Sequence, residues 1–176
     1  RGLGDVYKRQ AFAVGYEMRM EPQKIAAGLK SFVPSGMRQR IKKVGGITVI
    51  EDCYNASPDS QKAALDVLSS FKSNRRIAVL GDMLELGKYS DVSHENVGKY
   101  TENKNIDILF TYGEKAKHIA EGAKGFVDEI KSFDDKTELV KALLETLKDG
   151  DAVLFKASRG MKLEDVINSL YREWEE

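Results

Sequence analysis

The sequence predicts an α/β fold, a Rossmann-like three-layer sandwich whose mostly parallel sheet carries one antiparallel edge strand. Three observations lead there. Apolar, β-rich runs recur at 47–50, 77–80, 106–111 and 152–155. Each is followed by a longer segment whose apolar residues repeat at helical spacing. Strands alternating with helices at that interval call for right-handed crossovers, hence parallel strands covered on both faces.

Residues 1–10, RGLGDVYKRQ, show no periodicity continuous with the neighbouring segment and are read as a cloning or assembly remnant outside the fold. Residues 11–33 read as two short helices parted near Glu21-Pro22, the second with proline in its first turn and Ile25, Leu29 and Phe32 on one face. Such a stub is too small to fold alone and is expected to end a preceding domain. Residues 34–46 form a hinge and edge strand: Pro34, Ser35 and Gly36 punctuate, Met37–Val44 alternates, and Gly45-Gly46 suits a tight hairpin into the strand at Ile47. Residues 47–176 form the main domain. Its helices carry the stripes Ala64, Val67, Leu68, Phe71; Leu139, Val140, Leu143, Leu144, Leu147; and Leu163, Val166, Ile167, Leu170, Trp174. A weaker strand is expected near Val127–Phe133, and no internal repeat is present.

Composition narrows the function. The 176 residues are 41% hydrophobic and 32% charged, with 28 basic against 28 acidic side chains, which suits a packed globular chain. A neutral chain lacks the electrostatic attraction that nucleic-acid binding needs, so no nucleic-acid partner is expected. No apolar run nears the roughly 20 residues that span a bilayer, and no signal-peptide pattern opens the chain, so a cytoplasmic protein without membrane insertion is expected. Cys53 is the single cysteine, which excludes an intrachain disulfide and a thiolate metal site. His94 and His118 have no metal-ligand spacing, and structural roles are favoured for both. Neither a Gly-x-Ser-x-Gly elbow nor a base beside Cys53 supports a nucleophile. No catalytic residue and no metal ligand is assigned.

In an open parallel sheet, ligands bind beyond the carboxyl ends of the strands. Three polar loops lie there. In the first, 51–58, Ser57 is the expected N-cap, Pro58 the first helical residue and Asp59 a first-turn acid that would repel phosphate. Asp52 suits a pair of sugar hydroxyls, Tyr54 offers a flat face and Asn55 a donor and an acceptor, so the loop fits a nucleoside better than a triphosphate. Equally, Asp52 and Asn55 could simply satisfy turn backbone. The second, 81–89, is not a P-loop: five residues separate Gly81 from Gly87, and Tyr89 follows Lys88. Its Asp82 and Glu85 suit either an ammonium group or loop anchoring. The third, 156–160, brings Lys156 and Arg159 to the same edge, where Arg159 would hold a carboxylate or phosphate or bridge to Asp82 or Glu85.

The strings DCYNASPDSQKAALDVLSSF, RRIAVLGDMLELG and VLFKASRGMKLEDVI, with Ser90, His94 and Val97-Gly98 between them, resemble the C-terminal domain of the Mur ligases. The resemblance runs from about Ala11 onward. Tyr-Asn-Ala-Ser-Pro followed by Gly-Asp-Met-Leu-Glu-Leu-Gly points to the dipeptide-adding branch. It implies an ATP-dependent amide ligase of peptidoglycan synthesis that joins D-Ala-D-Ala to a UDP-MurNAc-tripeptide through an acyl phosphate, working as a monomer. It further implies that the phosphate loop and Mg2+ ligands belong to a central domain, of which residues 11–33 would be the tail. By motif, Asp52, Tyr54 and Asn55 match positions lining the adenosine of ATP, and Arg38 the hinge arginine reaching its phosphates, with Arg40 a rival. Asp82, Glu85, Ser158 and Arg159 match the face turned to peptide and dipeptide. Ser57 stands where asparagine is commoner. The alternatives are a related Mur or folylpolyglutamate-type ligase domain and a nucleotide-binding module without catalysis.

Overall fold

The computed structural model describes residues 3–31 and 39–175, which fall into two compact units, Arg1–Ser35 and Gly36–Glu176. In the first, α1 (Leu3–Glu17) and α2 (Pro22–Ser31) form a helical pair. The break expected at Ala11 is not a break in the backbone, because α1 runs unbroken from Leu3. The segment before Ala11 contains glycine and lacks an apolar stripe, yet a continuous hydrogen-bonded helix accommodates it. Gly15 lets the pair close: a Cβ there would lie 3.0 Å from Ile25, the buried residue of α2. Phe32, expected on the same face as Ile25, lies outside the described residues.

The second unit opens with a hairpin, β1 (Arg40–Val44) and β2 (Ile47–Glu51). Gly45 and Gly46 join them at φ 55° and 75°, the left-handed pair that a two-residue turn between twisted strands requires. β1 starts three residues later than expected; Gln39 before it is left-handed at φ 50°, and Met37 lies outside the described residues. Four strands follow: β3 (Arg76–Gly81), β4 (Ile108–Tyr112), β5 (Glu129–Phe133) and β6 (Ala152–Lys156). β4 begins at Ile108 rather than Ile106 because Asp107 turns aside to accept the Arg76 N–H at 2.7 Å. The sheet order is β1-β2-β6-β3-β4-β5, with β1–β2 antiparallel and the other pairs parallel.

Helices cover both faces. α3 (Pro58–Ser69), α4 (Ser90–Lys99) and α5 (Lys117–Ala123) bury Leu65, Leu68, Val97 and Ile119 against Ile50, Leu80, Leu109 and Leu154. α6 (Lys136–Thr146) and α7 (Glu164–Glu175) bury Leu139, Leu143, Val166, Ile167 and Leu170 against Val49, Val79, Phe110, Val153 and Phe155. Val153 and Leu154 are both fully buried, one on each face, as the central strand of a doubly covered sheet requires.

Chain order positions the site. From β2 the chain passes through α3 to β3, leaving a gap of one strand, then steps outward to β4 and β5. α6 carries it back over the other face so that β6 fills the gap. The loops after β2, β6 and β3 thereby become neighbours at the carboxyl edge although they are distant in sequence.

Candidate functional site at the carboxyl ends of β2, β6 and β3

The first loop continues the sheet before leaving it: Asp52 N–H donates to the Phe155 carbonyl at 2.9 Å. From the end of β6, Lys156 enters from beneath. Only 2% exposed, it places Nζ 2.8 Å from Asp52 Oδ2 and 2.9 Å from the Asn55 carbonyl. Asp52 Oδ1 accepts no hydrogen bond among the described residues. Asn55 Oδ1 accepts the Ala56 N–H at 2.9 Å, so this side chain shapes the turn and directs its amide nitrogen away from that bond. Tyr54 is 42% exposed, and the Arg159 guanidinium lies 5.7 Å from its ring centroid. α3 starts as expected. Ser57 accepts from Ser60 N–H at 3.3 Å, Ser60 Oγ takes the Ser57 N–H at 2.8 Å, and Pro58 and Asp59 open the first turn.

The second loop is held from three sides. Asp82 is buried, with Oδ1 accepting the Ala116 N–H at 2.7 Å; of the two roles open to it, the geometry provides the anchor. Buried His94 accepts the Met83 N–H on Nε2 at 2.9 Å, and Ser158 Oγ accepts the Leu84 N–H at 2.9 Å. Glu85 stands exposed at the loop tip with φ 67°. In the third loop Ser158 N–H donates to the Asp82 carbonyl at 3.0 Å, stitching the two loops together. Gly81 permits this approach, since a Cβ there would lie 2.7 Å from that of Ala157.

One of the two roles open to Arg159 is excluded. Arg159 makes no bridge to Asp82 or Glu85 among the described residues: its carboxylate neighbour is Glu164 at 3.8 Å, because the short 3-10 turn Arg159–Met161 swings it toward the first loop. Lys156 lies at the same edge as the acids, as the buried partner of Asp52. Arg38 lies outside the described residues; its rival Arg40 is an exposed residue of β1 opposite Glu51. Ser158 and Asp82 join the second and third loops, Arg159 reaches the first loop at Tyr54, and Glu85 is the residue after Leu84, whose N–H Ser158 holds. Sequence reasoning missed Gln61, a fully buried first-turn residue of α3 whose Nε2 donates to the Gly81 carbonyl at 2.9 Å. For His94 a structural role is expected from the sequence, and the structure supplies its partner, the Met83 N–H. Cys53 is buried: desolvation pushes its thiol pKa up, and Sγ donates to the Phe155 carbonyl at 3.3 Å.

A doubly covered, mostly parallel sheet with a polar, partly exposed cluster at the carboxyl ends of its strands defines a Rossmann-like α/β domain. The chain belongs to the Mur ligase family: residues 37–159 match the family's description as "Mur ligase, glutamate ligase domain". It is 42% identical over 164 residues to the UDP-N-acetylmuramoyl-tripeptide–D-alanyl-D-alanine ligase of Bacillus subtilis, covering 91% of this chain and 36% of that protein. The enzyme of that name from Haemophilus influenzae is 37% identical over 153 residues, covering 78% and 32%. Among solved structures, a MurF ligase from Thermotoga maritima in complex with ADP superposes with TM-score 0.77 at 27% identity, over 93% of this chain and 36% of that one. MurF from Acinetobacter baumannii gives 0.79 at 25% identity, over 91% and 35%. The chain thus spans about a third of the length of the relatives it matches.

Proposed function

We propose that this chain supplies the adenosine-facing domain of an ATP-dependent ligase that joins D-Ala-D-Ala to a UDP-MurNAc-tripeptide. The names of the relatives support the reaction, and the ADP complex of the Thermotoga maritima structure supports the nucleotide. The observation that carries the reading is local. Asp52 has one oxygen bound to Lys156 and the other unengaged, beside the exposed ring of Tyr54 and the exposed amide of Asn55. Oδ1 accepts from ribose hydroxyls, Tyr54 gives the base a flat apolar surface, and the Asn55 amide donates to its edge. Asp59 at the start of α3 keeps phosphate away from this end.

The triphosphate and Mg2+ are assigned to polypeptide beyond this chain. Among the described residues no group of three or more His, Cys, Asp or Glu is placed to hold a metal ion. In the reaction, phosphorylation activates the terminal carboxylate of the tripeptide, and the dipeptide amine then displaces phosphate. This domain contributes by closing over the nucleotide, excluding water and fixing geometry. Glu85 and Arg159, exposed on the rim, with Ser158 and Asp82 holding the loops beneath them, are assigned to the peptide side; Arg38 is assigned to the phosphates. Residues 11–33 are assigned to the end of the central domain. The exposed Val14, Tyr16 and Met18 of the helical pair support this, as apolar surface two helices cannot bury alone.

We place the protein in the cytoplasm, where ATP and UDP-linked precursors are found; no described helix is long and apolar enough to cross a membrane. A monomer is proposed, checked by sedimentation. The central test is Asp52→Ala in the full-length protein. It should raise the KM for ATP and leave the KM for both peptide substrates in place; an unchanged ATP KM removes Asp52 from the nucleotide site.

A further inference from the structure

Lys156 is an unusual residue to find at the inner end of a central strand. Lysine side chains are rarely buried without a partner, since taking an ammonium out of water is costly. Here the side chain is 2% exposed and its Nζ has two contacts, Asp52 Oδ2 at 2.8 Å and the main-chain carbonyl of Asn55 at 2.9 Å. Both belong to the first loop, and between them they bracket Tyr54. The strand delivers the ammonium accurately: β6 pairs with β2 on one side and β3 on the other, with Lys156 opposite Leu80. The loop has other supports, Asp52 N–H on Phe155 and Asn55 Oδ1 on Ala56, but these fix its backbone rather than the rotamer of the Asp52 carboxylate.

We infer that Lys156 is a positioning residue for the nucleotide: by holding Oδ2 of Asp52 and the Asn55 carbonyl, it sets the rotamer that presents Oδ1 outward and the turn that exposes the Tyr54 ring. This rests on the nucleotide reading of the first loop proposed above. A carboxylate with one oxygen fixed by a buried cation keeps a single orientation, so a ligand hydroxyl meets it without first ordering it. Lys156 itself is covered by the loop it holds and acts on the ligand through Asp52 and Asn55.

The test is a double-mutant cycle in the full-length ligase, reading KM for ATP, KM for both peptide substrates, kcat and the melting temperature. Lys156→Met should raise the ATP KM about tenfold or more, while kcat at saturating ATP and the other KM values stay within about threefold. In an Asp52→Asn background, the same Lys156→Met change should raise the ATP KM by clearly less than in the wild type, no more than about threefold, because its action through the Asp52 carboxylate is already gone and only its hold on the Asn55 carbonyl remains. If Lys156→Met does not fold, the double variant removes both buried charges together, and its ATP KM within about threefold of Asp52→Asn alone supports the inference. A full further rise in the Asp52→Asn background overturns it, as does an equal rise in every KM with a fall in melting temperature, which marks a purely structural lysine. Should Asp52→Ala itself leave the ATP KM unchanged, the nucleotide reading fails; should it raise the KM while Lys156→Met does not, only the positioning role fails.

Discussion

His94 Nε2 accepts the Met83 amide hydrogen at 2.9 Å, while Nδ1 donates to the Ser90 carbonyl at 2.7 Å. The two bonds together require a neutral ring with its proton on Nδ1, since a protonated imidazole would turn a donor toward the Met83 N–H.

Burial lowers the His94 pKa below its ordinary value, partly opposed by the Ser90 carbonyl and Asp82. The unfolded chain therefore binds a proton first as pH falls. The contribution of the neutral ring is complete above about 6.5 and declines from there down toward the lower folded pKa. Urea denaturation of wild type and His94→Gln should show a stability gap at pH 7.5 that narrows by pH 5.5. A gap independent of pH would mean that the ring's charge state does not matter.

Gly98 of α4 and Gly122 of α5 bring two helices into backbone contact. A Cβ on Gly98 would lie 2.1 Å from the Ile119 carbonyl oxygen, and one on Gly122 2.1 Å from that of Glu95. Either glycine changed to alanine should cost about 1–3 kcal/mol, because the obstacle is main chain and the helices must separate. Thermal unfolding of Gly98→Ala reads this directly; an unshifted midpoint refutes it.

Asp82 and Arg159 should separate by readout although both are assigned to the peptide side. Asp82→Ala strands the buried Ala116 N–H and should lower stability by about 1–3 kcal/mol. Arg159 is exposed and 3.8 Å from Glu164, so Arg159→Ala should change stability by less than about 1 kcal/mol. Its effect is expected in the KM of a peptide substrate, measured at saturating ATP. Loss of stability from Arg159→Ala without a change in KM would reverse the assignment.

Cys53 should be silent toward a disulfide reagent in the folded chain and titrate as one thiol after denaturation, given its burial and raised pKa. Rapid native labelling would contradict the packing described for the end of β2.

Local signals carried much of this molecule. The Gly45-Gly46 turn, the Ser57-Pro58 helix start and the stripes of α3, α6 and α7 were readable because each depends on neighbours within a few residues. The site was legible in its loops but not in its pairings. Lys156 meets Asp52 across 104 positions of chain, and that contact exists because β6 returns to the gap beside β2, a fact of strand order that no local spacing encodes. The Arg159 bridge failed for a similar reason, since a single 3-10 turn redirected the side chain. Only the first part of α1, before Ala11, is not legible as helix: that stretch carries no apolar stripe, and its Tyr7 is exposed to solvent rather than packed on a sheet.

The outer hairpin strand has a bearing on solubility. Among the described residues β1 leaves one side of its backbone unpaired, which invites another sheet to add there. Exposed Arg40 and Lys43 line that border, with Lys42 drawn inward to Glu51 at 3.1 Å. Two molecules meeting border to border would set cation against cation, so the charge that decorates this ribbon also discourages it from polymerising.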